Sequence, residues 1–340
     1  MSEFDSSQHP PTVSVVLPVY NGAADVQRAV QTILEQSWSD FELIIINDGS
    51  KDASAEVLEG LRDARIRLYH QDNRGLAATL NRGIGLARGR YIARQDHDDL
   101  SLPDRLARQV AYLEAHPDCV LLGTAAEIRV GDVPDGRAHQ HPTDHGALVF
   151  ELLFNNPFVH SSVMMRKDAV QRAGGYSEDP KRQPPEDYEL WSRLARQGRV
   201  ANLAEQLLIY REVPGSMSRV GPNPFQDRLV TISAENLAAI VGDRAPFEEL
   251  LAVAALTHSA VHRLSGPLPI ERMCEWVRLA GERIAEGRPD ADIEQRVRTR
   301  VSALRHQYAL QKHGLRWARP LARAVRGAAR RLGLWPGAGR

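Results

Sequence analysis

The stretch that decides the fold is Tyr91-Ile92-Ala93-Arg94-Gln95-Asp96-His97-Asp98-Asp99. A short apolar run opens it and three carboxylates close it. Such a run reads as a buried strand that delivers a loop to a sheet edge. Clustered carboxylates repel one another, and an apolar strand end is a poor place for them unless a cation joins them. Hard oxygen ligands of this kind suit Mg²⁺ or Mn²⁺. Alternate residues of an extended segment share a side, so Asp96 and Asp98 share one; one of them can face a nucleotide ribose and the other a metal. The bland alternative makes Asp98 or Asp99 the cap of a helix beginning near Pro103, with the other charges solvated.

Upstream, three more strands are expected at Val13–Tyr20, Phe41–Ile46 and Ile66–His70. Between them, apolar residues at Val26, Ala29, Val30, Ile33 and Leu34 form a helical stripe. Asp52 or Ser54 is the expected cap of a second helix ending near Arg62, and Leu76–Ala87 is a third. Strands alternating with helices predict a parallel sheet covered on both faces. Ligands of such sheets bind at the carboxyl ends of the strands. Tyr20-Asn21, Asp48-Gly49-Ser50, Asn73 and Asp96–Asp99 all fall at that edge.

Downstream, helices are expected at 104–115, 147–154, 167–173 and 186–197, with strands at 119–128 and 207–211 and an extended segment at 158–165. A polar loop holding His139 and His141 is expected at 131–142. From about Asp227 the chain turns Ala- and Leu-rich, and four helices are expected at 227–242, 246–263, 269–286 and 291–312.

Composition bounds the function. The 340 residues carry 43 basic and 43 acidic side chains, so the whole chain is not steered to nucleic acid, and none is expected as a partner. Cys119 and Cys274 are the only cysteines; they suit a reducing, cytoplasmic setting and read as two buried thiols. No stretch approaches the ~20 apolar residues of a membrane span, and the polar N-terminus reads as neither signal nor anchor.

Individual residues carry chemistry and a plain alternative together. Asp48 is placed to accept the N3 proton of uracil or thymine, or to make an Asx-turn into Gly49. Tyr20 suits the wall of a base pocket and Asn21 the turn. No GxGxxG or GxxxxGK[ST] loop follows the first strand, which argues against a dinucleotide site. Glu186 and Asp187 sit at a helix start, where the dipole favours negative charge. They read either as an ordinary acidic first turn or as a general base.

In order, Val15–Asn21, Ile46–Asp52, Asn73-Arg74-Gly75-Leu76, Asp96–Asp99, His160–Val163 leading to Gly174-Gly175-Tyr176, and Glu186–Trp191 resemble the family 2 glycosyltransferases over about residues 12–220. The resemblance implies the α/β GT-A fold, a Rossmann-like, mostly parallel sheet flanked by helices, here with an α-helical C-terminal extension. It implies an inverting, hexosyltransferase-type enzyme using a UDP- or dTDP-sugar, a divalent Mg or Mn ion and a glycan or lipid-linked acceptor in cell-surface glycan synthesis. Pro18, Tyr20, Asn21, Asp48, Asn73, Gly75, Asp96 and His97 would line the nucleotide-sugar site, with Asp96 on the ribose. Asp98 and Asp99 would meet the metal. Asp187 would be the base, with Glu186 as its alternative. His160 would touch acceptor or diphosphate, or stand as a hydrogen-bonded core histidine. Processive members carry a QxxRW motif and membrane spans, neither present here, so single addition is expected. The alternatives are a nucleotidyltransferase and an inactive GT-A scaffold. The implied divisions are a flexible 1–11, a nucleotide-sugar half 12–105, an acceptor half 106–225, a helical extension 226–312 and a basic amphipathic tail 313–340.

In that tail Arg316, Arg319, Arg323, Arg326 and Arg330 form one helical stripe, with Leu321, Val325, Ala328, Leu332 and Trp335 roughly opposite. It reads as a surface for anionic membrane through 314–335, on the inner face of the cell membrane, where each basic residue contributes ~1 kcal/mol. Packing on the protein, or a disordered tail, is the other reading. Deleting 314–340 is expected to abolish sedimentation with anionic liposomes; unchanged binding by the truncated chain would remove the membrane reading.

Overall fold

The structure, a computed structural model, describes residues 9–212, 225–264 and 266–312. The basic tail lies outside the described residues. The chain divides into two compact units, Met1–Asn236 and Leu237–Arg340.

In the first unit, β1 (Val13–Val19), β2 (Phe41–Asp48), β3 (Ile66–Gln71) and β4 (Tyr91–Arg94) lie in the order β3-β2-β1-β4, all parallel. Every residue of β1, β2 and β4 is buried, which is what an apolar run without alternation demands. Val13, Val15, Leu17 and Val19 point to one face. There they meet Val26, Val30 and Ile33 of α1 (Val26–Leu34) and Leu106, Val110 and Leu113 of α4 (Arg105–Ala115). Val16, Ile44, Ile46 and Ile92 point to the other face. They pack on Ala77, Leu80 and Ile84 of α3 (Leu76–Leu86), in one core with Leu190, Trp191 and Leu194 of α7 (Glu186–Leu194). Each such side chain contributes about 1.5–3 kcal/mol by leaving water.

The sheet continues through β8 (Met164–Arg166), β6 (Cys119–Val130), β9 (Arg199–Glu212) and β5 (Leu100–Ser101). Here β4–β8, β6–β8 and β5–β9 run antiparallel and only β6–β9 parallel. The sheet is thus parallel in its first half and mixed beyond. The remaining helices of this part are α2 (Ser54–Gly60), α5 (His145–Leu152) and α6 (Lys167–Arg172).

Several sequence expectations change. The polar 131–142 segment holds a strand, β7 (Val133–His139), paired with β6. Its Val-Pro-Asp-Gly-Arg composition has no strand signal, and a tight turn at Gly131 with φ 61° makes the hairpin instead. The extended segment 158–165 is broken by a 3₁₀ turn at His160–Ser162. The last strand begins at Arg199, eight residues earlier than expected, because its partner β6 is itself long and bulged. Ala53 stands at the N-cap of α2, and Asp52, one residue before it, accepts the Ser54 N–H at 3.0 Å, the Ser54 hydroxyl and the Ala23 N–H, whereas Ser54 lies inside the helix. Asp98 and Asp99 do not cap α4 either, since Asp104 stands at its N-cap.

The C-terminal helices are α8 (Gln226–Val241), α9 (Phe247–Thr257), α10 (Ile270–Ile284) and α11 (Ala291–Lys312). They fall within the four expected windows to within a residue, although α9 stops at Thr257 and a 3₁₀ turn, Val261–Arg263, follows. Within the second unit Leu250, Val253, Met273, Cys274, Val277, Val301 and Leu304 are buried. Both cysteines are free and buried, and burial pushes the Cys119 thiol up to about 11. Among the described residues no helix is long and apolar enough to cross a membrane.

Gly83 lies where α3 crosses β1, and a Cβ there would overlap the Val16 side chain. Gly83→Val is expected to cost about 1–3 kcal/mol through overpacking, read as a lower urea midpoint with an unchanged slope.

Candidate active site

The carboxyl edge of the parallel strands is tied together by backbone-directed side chains. Asn21, at φ 52°, accepts from the Lys51 N–H at 2.8 Å, and its own N–H meets Ser50 Oγ at 3.0 Å. The Gly22 N–H donates to Ser54 Oγ at 2.9 Å. Pro18 sits past the end of the β1–β4 ladder at Val16, so its missing N–H removes no bond from that ladder. Tyr20 is 44% exposed, an aromatic face left open at the edge.

Asp48 is buried at the end of β2. Its carboxylate accepts from Gln71 Nε2 at 2.6 Å, the Arg74 N–H at 2.9 Å and the Gly75 N–H at 3.0 Å. That clamp sets the start of α3, where Gly75 takes φ 84°, a conformation open to glycine. An ionised carboxylate has about four acceptor sites, so one remains. The turn foreseen at Asp48 is made by Asn47, whose Oδ1 accepts from the Ser50 N–H at 3.1 Å. Asn73 packs against Gly49, where a Cβ would lie 2.7 Å from the Asn73 nitrogen. His97 lies over Gly22, where a Cβ would strike its ring.

The acidic cluster separates into three environments. Asp96 is paired with Arg94, whose Nη2 lies 2.5 Å from Asp96 Oδ1. Ser161 Oγ donates to Asp96 Oδ2 at 2.6 Å and accepts the Asp96 N–H at 3.0 Å. Burial pulls the Asp96 carboxyl upward, yet the Arg94 guanidinium and the Ser161 hydroxyl hold it well below the usual range. Asp98 is raised by burial and by Asp96, and among the described residues no other side chain hydrogen-bonds its carboxylate. Asp99 is turned inward at 2% exposure and accepts the Arg211 N–H at 2.9 Å. Burial and the two neighbouring carboxylates push it well above its ordinary value.

Raised carboxyls are negative charge without enough compensation, and a divalent cation at Asp98 and Asp99 would supply it. Among the described residues no three side chains stand ready as ligands. An ion held here would have to draw most of its ligands from substrate phosphates and water. Asp98, the one of the three carboxylates with no side-chain partner among the described residues, and Asp99 are the residues that would hold it.

The second carboxylate pair lies at the start of α7. Asp187 Oδ2 accepts from Asn156 Nδ2 at 2.7 Å, and its Oδ1 from the Tyr188 N–H at 2.6 Å. Burial raises Asp187 despite those bonds. Glu186, 7% exposed, is pushed up to about 7 by burial and by Asp187. Asp96 acts on both electrostatically, so the far carboxylates and the strand-edge cluster share one field. A carboxylate poised near neutrality is what a general base requires. His160 meets the Tyr176 hydroxyl at 3.0 Å, and burial and Arg94 push it down to about 3. It is neutral and offers hydrogen bonds rather than charge.

Sequence reading missed Arg94, Asn156, Arg105 and Arg211, and it quoted Tyr176 within a motif without giving it a role. Only Arg94 had a local signal, a cation closing an apolar strand. Buried Arg105 props the acidic loop by donating to Gln95 Oε1 at 2.8 Å and to the Arg94 carbonyl at 2.5 Å.

Residues 14–174 match the family model described as Glycosyl transferase family 2. The chain is 34% identical to the putative glycosyltransferase EpsE of Bacillus subtilis over 66% of its own length and 79% of that protein. It is 32% identical to the O-antigen biosynthesis glycosyltransferase WbnJ of Escherichia coli over 58% and 79%. Its fold is similar to that of S. aureus TarS 1–349 in complex with UDP-GlcNAc, with a TM-score of 0.57 at 15% identity over 89% and 92% of the two chains.

Glu186 links this site to stability. Its folded pKa lies above the ordinary 4.5, so between about 4.5 and 7 the folded state holds a proton that the unfolded state has lost, and stability falls as pH rises through that window. Glu186→Gln is expected to be more stable than wild type by about 3 kcal/mol at pH 8 and close to it at pH 4, by urea unfolding.

Proposed function

The chain belongs to glycosyl transferase family 2 and is a glycosyltransferase with the GT-A fold, and we propose that it inverts the anomeric carbon while moving a sugar from a UDP- or dTDP-sugar to an acceptor hydroxyl. The observation that carries this reading is the buried Glu186–Asp187 pair at the start of α7, both carboxyls raised by burial and Asp187 oriented by Asn156.

In this reading Asp187, oriented by Asn156, takes the acceptor proton. The acceptor oxygen bonds to the anomeric carbon from the face opposite the diphosphate. The bond from that carbon to the diphosphate oxygen breaks, and its electron pair leaves with the diphosphate. The sugar passes through an oxocarbenium-like state. Asp98, with Asp99 beside it, would hold the Mg or Mn ion together with the diphosphate oxygens, and the ion supplies neutralising charge for the leaving group. Asp48 keeps one acceptor site for a base N3–H, and Tyr20 offers the open aromatic face beside it. Asp96 serves the ribose side, locked by Arg94 and Ser161. His160 contributes neutral hydrogen bonding toward acceptor or diphosphate. Similarity to a glycosyltransferase of O-antigen biosynthesis supports a glycan or lipid-linked acceptor in surface polysaccharide synthesis.

Thermal-shift screening of UDP- and dTDP-sugars with Mn²⁺, UDP-GlcNAc first, is expected to identify the donor as the one that raises Tm. With that donor, Asp98→Ala and Asp187→Asn are each expected to lower transfer or donor hydrolysis at least ~100-fold. Turnover by both variants at the wild-type rate would defeat the reading.

A further inference from the structure

Gln71 and Asp48 stand opposite each other in the register of β3 and β2, at the strand ends that open on the site. A chain of hydrogen bonds joins them, and chemistry fixes its direction. A guanidinium only donates, and Arg82 Nη1 lies 2.7 Å from Gln71 Oε1. The Gln71 carbonyl therefore faces Arg82 and its amide NH₂ faces away. That NH₂ donates to Asp48 Oδ1 at 2.6 Å and to Thr79 Oγ1 at 2.9 Å. Arg82 is held in turn: it donates to the His70 carbonyl at 3.3 Å, and its guanidinium carbon lies 5.5 Å from the centre of the Tyr69 ring. Asp48 Oδ1 thus accepts from Gln71 and from the Arg74 N–H, while Oδ2 accepts only from the Gly75 N–H among the described residues. Each carboxylate oxygen has about two acceptor sites. Oδ1 is filled, and the open site is on Oδ2.

A base that reaches Asp48 can therefore place one N–H on it, not two side by side. Uracil and thymine carry a single ring N–H between two carbonyls. Guanine carries its N1–H beside an amino group, a pair of donors that matches both oxygens of a carboxylate. At Asp48 that amino group would leave water and meet an oxygen already filled, which is the kind of mismatch that rejects a ligand. We propose that Gln71 is a positioning residue for donor choice: by filling Asp48 Oδ1 from a fixed direction, it leaves Asp48 an acceptor for one N–H and so selects uracil- or thymine-type diphosphate sugars over guanine-type ones. This rests on reading Asp48 as the contact of the base. The other two donors to Asp48 are main-chain groups, so Gln71 is the side chain through which the choice is set.

The test is isothermal titration of the full chain with UDP, GDP and inosine diphosphate in Mg²⁺ buffer. Hypoxanthine, the base of inosine, has guanine's rings and N1–H without the amino group. The ratio of GDP to inosine diphosphate affinity therefore reads the second donor and cancels the size of the purine. Wild type is expected to bind UDP most tightly and GDP no better than inosine diphosphate. Gln71→Ala frees Oδ1 and is expected to tighten GDP about 10-fold relative to inosine diphosphate, with UDP affinity unchanged within about threefold. A merely structural Gln71 would weaken all three nucleotides together, and that result overturns the proposal. So does a ratio in Gln71→Ala equal to wild type. If Gln71→Ala does not melt cooperatively, Arg82→Met, which removes the anchor of the Gln71 carbonyl, is expected to move the ratio the same way, and an unmoved ratio there overturns the proposal equally. In each of these cases tight UDP binding by wild type leaves the reading of Asp48 standing. A wild type that prefers GDP to UDP removes that reading and the proposal with it.

Discussion

A buried ion pair, Arg94 with Asp96, sets the terms for the rest of this site. Three carboxylates crowd the end of β4, and burial raises two of them. Asp96 alone is held down, because a guanidinium and a serine hydroxyl reach it. One ionised carboxylate then acts on all the others. It raises Asp98 and Asp99 beside it and adds to the rise of Glu186 and Asp187 across the site. The raised carboxyls at the strand edge and at the start of α7 are thus two results of one charge arrangement.

The sheet makes that arrangement possible. Parallel strands end their carboxyl termini along one edge, so four loops far apart in sequence become neighbours. Their contacts are specific: Asp48 holds the loop before α3, Asn21 holds the loop after β2, and His97 lies over Gly22. Beyond β4 the sheet turns mixed, and β8 lies antiparallel against β4. Ser161, in the 3₁₀ turn just before β8, reaches Asp96. The 3₁₀ turn before β8 is therefore anchored on the loop that follows β4.

Much of this was legible in the residues. Near-continuous Val, Ile and Leu runs identify β1 and β2 because strands buried on both faces need no alternation. The stripe at Val26, Ala29, Val30 and Ile33 is the buried face of α1. The C-terminal helices follow from periodicity alone. The β7 hairpin was illegible because its strand is exposed and polar, so no burial pattern marks it. The start of α2 shows the same limit: besides the local bond between Asp52 and Ser54, these side chains accept from Gly22 and Ala23, distant in sequence. Asn156 was invisible as a partner of Asp187 because 31 residues separate them.

Residue order by itself determined the strand–helix alternation, the acidic loop after β4 and the acidic start of α7. Each is a local pattern of hydrophobicity or charge, and such patterns need no partner to be read. Tertiary structure alone decided what the carboxylates are. Asp96 is ionised and locked, Asp98 stands open, Asp99 turns inward, and Glu186 is poised near neutrality. The physical reason is that a carboxyl's charge depends on burial and on cations brought to it by the fold, and the sequence lists those groups without their distances.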